Sequence, residues 1–167
     1  MKSDFIKRLV LVTTVLALPL SSYAQSAAAQ GQTNPPVVEG RGLYWSSDNV
    51  KKALVTGASI PLPRTPTYFI AAQNRTGKPQ PPEAHTNRAQ FYVVLDGSGI
   101  IMVGGDVPNS SNTSPVERRG PSGQSIVGGT PYRVKTGDML LIPKNTWHSA
   151  EPDPDGLRYV LVNLMEP

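Results

Sequence analysis

From residue 68 onward the chain alternates short apolar runs with clusters of Gly, Pro, Asn, Asp and Ser. Tyr68 to Ala72, Phe91 to Leu95, Ile100 to Val103, Tyr132 to Val134, Met139 to Ile142, Trp147 to Ala150 and Arg158 to Leu164 read as strands. Asp96-Gly97 has the chemistry of a hairpin turn between two of them, and Gly104-Gly105 ends the second. Residues 106–130, rich in Pro, Ser, Asn and Gly, read as a long loop or irregular hairpin, with Arg118, Arg119 and Lys144 as solvated loop charges. One helix is predicted earlier. Ser46-Ser47-Asp48 caps it, Val50, Ala53 and Leu54 give an i, i+3, i+4 stripe, and Gly57 stops it. Strands at this spacing predict an all-β sandwich or barrel with one short N-terminal helix.

The N-terminus has a different pattern. Lys2, Lys7 and Arg8 precede an almost wholly apolar stretch from Leu9 to Leu20, and Ser22-Tyr23-Ala24 offers small residues for cleavage before Gln25. Residues 1–24 therefore read as a signal peptide. At about 1.5 Å per residue such a stretch is too short to cross a hydrocarbon core roughly 30 Å thick. Residues 25–36, small and polar and ending in Pro35-Pro36, read as a flexible leader, which leaves 37–167 as one domain. A periplasmic or secreted protein is expected, with no membrane partner once the signal is removed.

Charge removes some functions from consideration. The net charge is +4, and half of it comes from Lys2, Lys7 and Arg8 against Asp4. The remainder is small and dispersed, so nucleic acid is not an expected partner. With no cysteine the protein has neither a thiol nucleophile nor a thiolate ligand, and any metal must be held by nitrogen and oxygen. No G-x-S-x-G elbow and no phosphate loop ahead of a helix is present.

The chain has only two histidines, His85 and His148. In a strand Glu83 and His85 point to the same face, as do Gln90, Tyr92 and Val94. Gly137-Asp138 and Pro143-Lys144-Asn145 are turns that deliver Trp147 and His148. Two imidazoles, the Glu83 carboxylate and the Gln90 amide meeting in a barrel interior would make a 2-His-1-carboxylate site, with Gln90 as fourth or outer ligand. Such a set suits Fe, Mn, Ni or Zn.

These stretches resemble the paired motifs of the cupin superfamily, whose members are small jelly-roll β-barrels. The first, G-x5-H-x-H-x4-E-x6-G, is matched by Gly77-x5-Glu83-x-His85-x4-Gln90-x6-Gly97. The second, G-x5-P-x-G-x2-H-x3-N, is matched by Gly137-x5-Pro143-x-Asn145-x2-His148, with Pro152 in place of the final Asn. The resemblance covers roughly residues 65–164. Glu83 replaces the first histidine, Gln90 the acidic ligand and Asn145 a turn glycine, whose left-handed backbone Asn tolerates. Some cupins that rearrange unsaturated uronates also carry Gln at the position of Gln90, a resemblance that points toward sugar-acid chemistry, and exported cupins with a long insert and a Glu-x-His in the first motif are similar to this chain as well.

The resemblance implies one divalent transition metal on Glu83, His85, Gln90 and His148, with Glu83 or His148 as the proton-moving group. Tyr92 and Trp147 are expected as core or pocket wall able to contact substrate, and Arg158, if inward, as a grip for a substrate carboxylate. The expected function is a metal-dependent enzyme, isomerase, lyase or dioxygenase, acting on a small oxygenated molecule such as a sugar acid or an enolisable carbonyl compound. The alternatives are a non-catalytic module binding a small molecule or a metal, and a barrel serving only in a homodimer formed through edge strands.

Overall fold

The computed structural model describes residues 40–56 and 62–166, all within one compact unit. The expected signal peptide and leader, and the helix-stopping Gly57, lie outside the described residues. The helix forms where the pattern places it, as α1 (Ser47–Thr56). Ser46 caps it: its Oγ accepts the Asn49 amide at 3.3 Å and its carbonyl accepts the Val50 amide at 3.1 Å. Leu54 is buried.

Everything that follows is strand or turn: β1 (Tyr68–Arg75), β2 (Glu83–His85), β3 (Arg88–Val103), β4 (Ser111–Ser114), β5 (Glu117–Arg119), β6 (Thr130–Lys135), β7 (Met139–Ile142) and β8 (His148–Met165). They form one antiparallel sheet in the order β4-β5-β2-β8-β3-β6, with β1 also on β8 and β7 also on β3. Two long strands, β3 and β8, run side by side over most of their length and carry the others. Alternation is strict over residues 157–164 of β8, with Leu157, Tyr159, Leu161 and Asn163 buried and Arg158, Val160, Val162 and Leu164 on the other face. The inward residues meet Tyr92, Val94, Ile101, Val134 and Ile142 in the main core.

Two expectations need correction. Asp96-Gly97 is not a hairpin turn, because β3 continues through it with register shifts against β8 at Val94/Asp96 and Gly97/Gly99. Trp147–Ala150 and Arg158–Leu164 are correspondingly not separate strands: residues 148–165 form one, despite Pro152, Pro154 and Gly156. The two strands bend together at a close crossing. A Cβ on Gly97 would lie 2.1 Å from the Gly156 carbonyl oxygen, and Gly97 has a φ of +77°. The turn-like composition therefore marks a bend shared by two long strands. Within residues 106–130 the irregular-hairpin alternative holds: they contain the β4–β5 hairpin, with a register shift at Asn112/Ser114, and it pairs with β2.

Candidate metal centre

Strand β2 is short and entirely buried, and Glu83 and His85 share one face of it. Glu83 is also the register partner of His148 across the β2–β8 pair. Asn145 connects the two motifs directly: its amide donates to the His85 carbonyl at 2.7 Å, and its φ of 60° makes the turn that starts β8 at His148. An Asn in the left-handed conformation thus does what glycine would do there.

The three side chains converge. Glu83 Oε1 lies 3.5 Å from His85 Nε2 and 3.6 Å from His148 Nε2, and the imidazole centroids are 5.4 Å apart. One ligand atom from each residue lies within 4.8 Å of the others, so the buried group is able to hold a metal ion. His148 is already in the required tautomer. Its Nδ1 is 3.0 Å from the Thr146 carbonyl, which only accepts, so Nδ1 carries the proton and Nε2 the lone pair. That Nε2 is buried and makes no hydrogen bond. A buried lone pair without a donor, aimed at a carboxylate, lacks an electrophile, and a cation between the two supplies one. The residues fit the group.

Burial by itself would raise the Glu83 carboxyl; the His148 and His85 imidazoles facing it, once they bear a proton where a cation would otherwise sit, outweigh burial and hold the group well below the usual carboxylate range. Glu83 is therefore ionised, as a ligand must be.

Strand β5 adds residues that the sequence pattern does not reveal. Glu117 is the register partner of His85, and Arg119 that of Glu83. Arg119 Nη2 lies 3.1 Å from Glu83 Oε2 and its Nε 2.6 Å from Glu117 Oε1. Glu117 Oε2 is 3.7 Å from His85 Nδ1 and 3.8 Å from Arg88 Nη2, and Arg88 Nη2 is 3.3 Å from His85 Nε2. Arg119 is thus no solvated loop charge. Nor is Arg118, whose guanidinium lies 4.8 Å from the Trp147 ring centroid and donates to the Asn145 carbonyl. Lys144 pairs with Glu166 at 3.5 Å. The sequence offered one weak signal for β5, charged residues at Glu117 and Arg119 two apart.

A cavity of about 180 Å³ opens beside the group, lined by Gln73, Arg75, Gln80, Glu83, His85, Arg88, Gln90, Tyr92, Glu117, Arg119, Tyr159 and Asn163, with Phe69, Ala71 and Leu161 as its apolar wall. Gln90 lines it, but its amide is engaged: Nε2 donates to Asn163 Oδ1 at 3.0 Å and Oε1 accepts the Tyr92 hydroxyl at 3.2 Å. Burial raises the Tyr92 hydroxyl well above its ordinary value, so it remains a donor. The other two expected substrate residues lie elsewhere. Trp147 packs with Ala84, Val107 and Ile126 in a second core, and Arg158 faces out to Asp96 at 2.8 Å.

Residues 122–167 match the model of the AraC-like ligand binding domain family. That segment contains the whole second motif, Gly137 to His148, which here folds against the first through Asn145 and His85. The fold, eight strands in one antiparallel sheet with one short helix among the described residues, is of the class the two motifs imply. Among solved structures it resembles a cupin protein from Bacteroides fragilis (13% identity, 60% of this chain and 68% of that one, TM-score 0.43). It also resembles KdgF from Halomonas sp. (19%, 61% and 74%, 0.41) and the DMSP lyase DddQ from Ruegeria pomeroyi (13%, 60% and 39%, 0.43). No curated protein sequence matches this chain.

Proposed function

We propose that this protein is an exported metal-dependent enzyme of the cupin type acting on a small oxygenated organic molecule, a sugar acid or an enolisable carbonyl compound, by isomerase- or lyase-type chemistry. The observation that carries the proposal is the unpartnered Nε2 of His148, buried and facing Glu83 and His85 beside a polar cavity. Glu83, His85 and His148 hold the ion, and Gln90 stands behind them as an outer residue. A divalent ion bound there supplies Lewis acidity toward adjacent substrate oxygens, and with iron the same donor set serves dioxygen chemistry.

The chain's own groups do the remaining work. Glu83 presents Oε1 to the imidazoles while Arg119 holds Oε2, so Glu83 serves as ligand and takes or returns a proton only when Arg119 releases Oε2. His148 is fixed by Thr146 and serves as ligand. The Tyr92 hydroxyl and the Gln90–Asn163 amides form a polar floor that orients hydroxyl groups of the substrate. Two copies pair through β6 and β7, whose Tyr132, Met139 and Leu141 stand exposed.

A second reading, a non-catalytic ligand-binding module, is supported by the match of residues 122–167 to a ligand binding domain and by Arg119, which already occupies one oxygen of Glu83. Elemental analysis of protein purified without chelator, beside His85→Ala and His148→Ala, tests the site. Incubating the metal-loaded protein with sugar acids and catechols then separates the readings. Metal retention without turnover favours the module, and a metal-free wild type after reloading overturns the metal centre.

A further inference from the structure

The cavity contains more cationic than anionic side chains. Five charged residues line it: Arg75, Arg88 and Arg119 against Glu83 and Glu117. Both carboxylates are taken. Arg119 bonds Glu83 and Glu117, and Arg88 sits against Glu117, Asn163 and His85. Arg75 is different. Among the described residues no carboxylate lies within ion-pair distance of it, and its one hydrogen bond runs from Nε to the Tyr159 hydroxyl at 3.3 Å. Its position follows from alternation on β1, where Phe69, Ala71, Gln73 and Arg75 all turn into the cavity.

With Nε engaged, the remaining N–H groups of a half-buried, planar guanidinium are offered to the cavity. This geometry binds a carboxylate through two parallel hydrogen bonds. Burial raises the Tyr159 hydroxyl, which keeps its proton and so brings no negative charge to compete for Arg75. A ligand anion completes the local charge balance, and an ion bound at the metal centre adds further positive charge. At about 180 Å³ the cavity has room for a small acid.

We propose that Arg75, steadied by Tyr159, is the carboxylate-recognition residue of this site, and that the ligand is a small monocarboxylic acid with its oxygenated end toward Glu83, His85 and His148. The proposal names the substrate class within the functional reading above and rests on it for the ligand's second end only. The sequence pattern pointed to Arg158 for this role, but that side chain is on the outer face, paired with Asp96.

The test uses lactate and its neutral isostere lactamide as probes, titrated by calorimetry into metal-free and metal-loaded full-length protein. Metal-free wild type is expected to prefer lactate at least tenfold. Arg75→Gln is expected to lose that preference while keeping its melting profile and metal content, and Arg75→Lys to retain part of it. Equal affinity for the two probes, or full preference in Arg75→Gln, overturns the assignment. Loss of preference in Arg158→Gln but not in Arg75→Gln overturns it in favour of the outer arginine. Because the metal-free arm needs no ion, its failure is distinct from failure of the metal centre, which elemental analysis reads separately.

Discussion

Replacing His148 by alanine tests the metal centre through thermodynamic linkage. An ion that binds only the folded chain stabilises it by about 2.7 kcal/mol when free metal stands at 100 times its dissociation constant. A domain of roughly 130 residues unfolds near 60 °C with an entropy of about 0.27 kcal/mol/K, so saturating wild type to this degree raises Tm by about 10 °C. His148 contributes one of three converging ligand atoms, and its loss should weaken binding at least ~100-fold, beyond the tenfold to hundredfold effect of losing an outer-sphere partner. At the same metal concentration the binding contribution then falls to about 0.4 kcal/mol and the shift to about 1.5 °C. Truncating a buried imidazole also leaves a cavity and frees the Thr146 carbonyl, so the metal-free variant melts lower than wild type. The informative quantity is therefore the metal-induced shift within each protein. Differential scanning calorimetry with chelator, then with Fe(II), Mn, Ni or Zn, measures it. A variant that keeps the full shift, or a wild type that shows none with any of the four, would refute the reasoning.

Other perturbations test separate parts of the structure. Gly97→Ala puts a Cβ 2.1 Å from the Gly156 carbonyl at a left-handed φ, and should cost about 3 kcal/mol or more in urea unfolding; an unchanged midpoint would mean the β3–β8 crossing is looser than it looks. The folded Glu83 carboxyl holds its proton less tightly than the unfolded one. Its stabilisation is thus complete above the ordinary value of 4.5 and is lost as pH falls below it toward the folded value. Glu83→Gln should flatten that part of the stability–pH curve, and an identical acid limb in both proteins contradicts this. Arg119→Gln frees Glu83 from a partly exposed cation, and metal affinity by isothermal titration should rise about twofold to fivefold; a fall would make Arg119 a positioning residue. Leu141→Glu places a charge on the exposed face of β7 and should shift sedimentation toward monomer if two copies pair there.

The fold was largely legible in one dimension because its signals are local. Alternation marked the strands, Ser46 marked the helix start, and the spacing around His85 and His148 gave the two motifs. Turn chemistry misled at Asp96-Gly97 and across Pro152 to Gly156. A glycine demanded by a neighbouring backbone looks in sequence like one demanded by a turn, and only the Gly97–Gly156 approach distinguishes them. The site was legible as to which residues could coordinate, and not as to what surrounds them. Glu117 and Arg119 come from a hairpin whose composition reads as loop, and they reach the centre only because β5 pairs with β2.

The sequence by itself determined an all-β chain with a single helix and a donor set limited to nitrogen and oxygen, because residue type and period are properties of the chain alone. Tertiary structure decided that Glu83, His85 and His148 share one point, that Gln90 is engaged by Tyr92 and Asn163, and that Trp147 and Arg158 lie off the cavity while Arg75 lines it. Those are facts of pairing register and of which strand face turns inward. They arise from contacts between residues far apart in the chain, as in the Arg75–Tyr159 hydrogen bond across 84 positions, which no local pattern encodes.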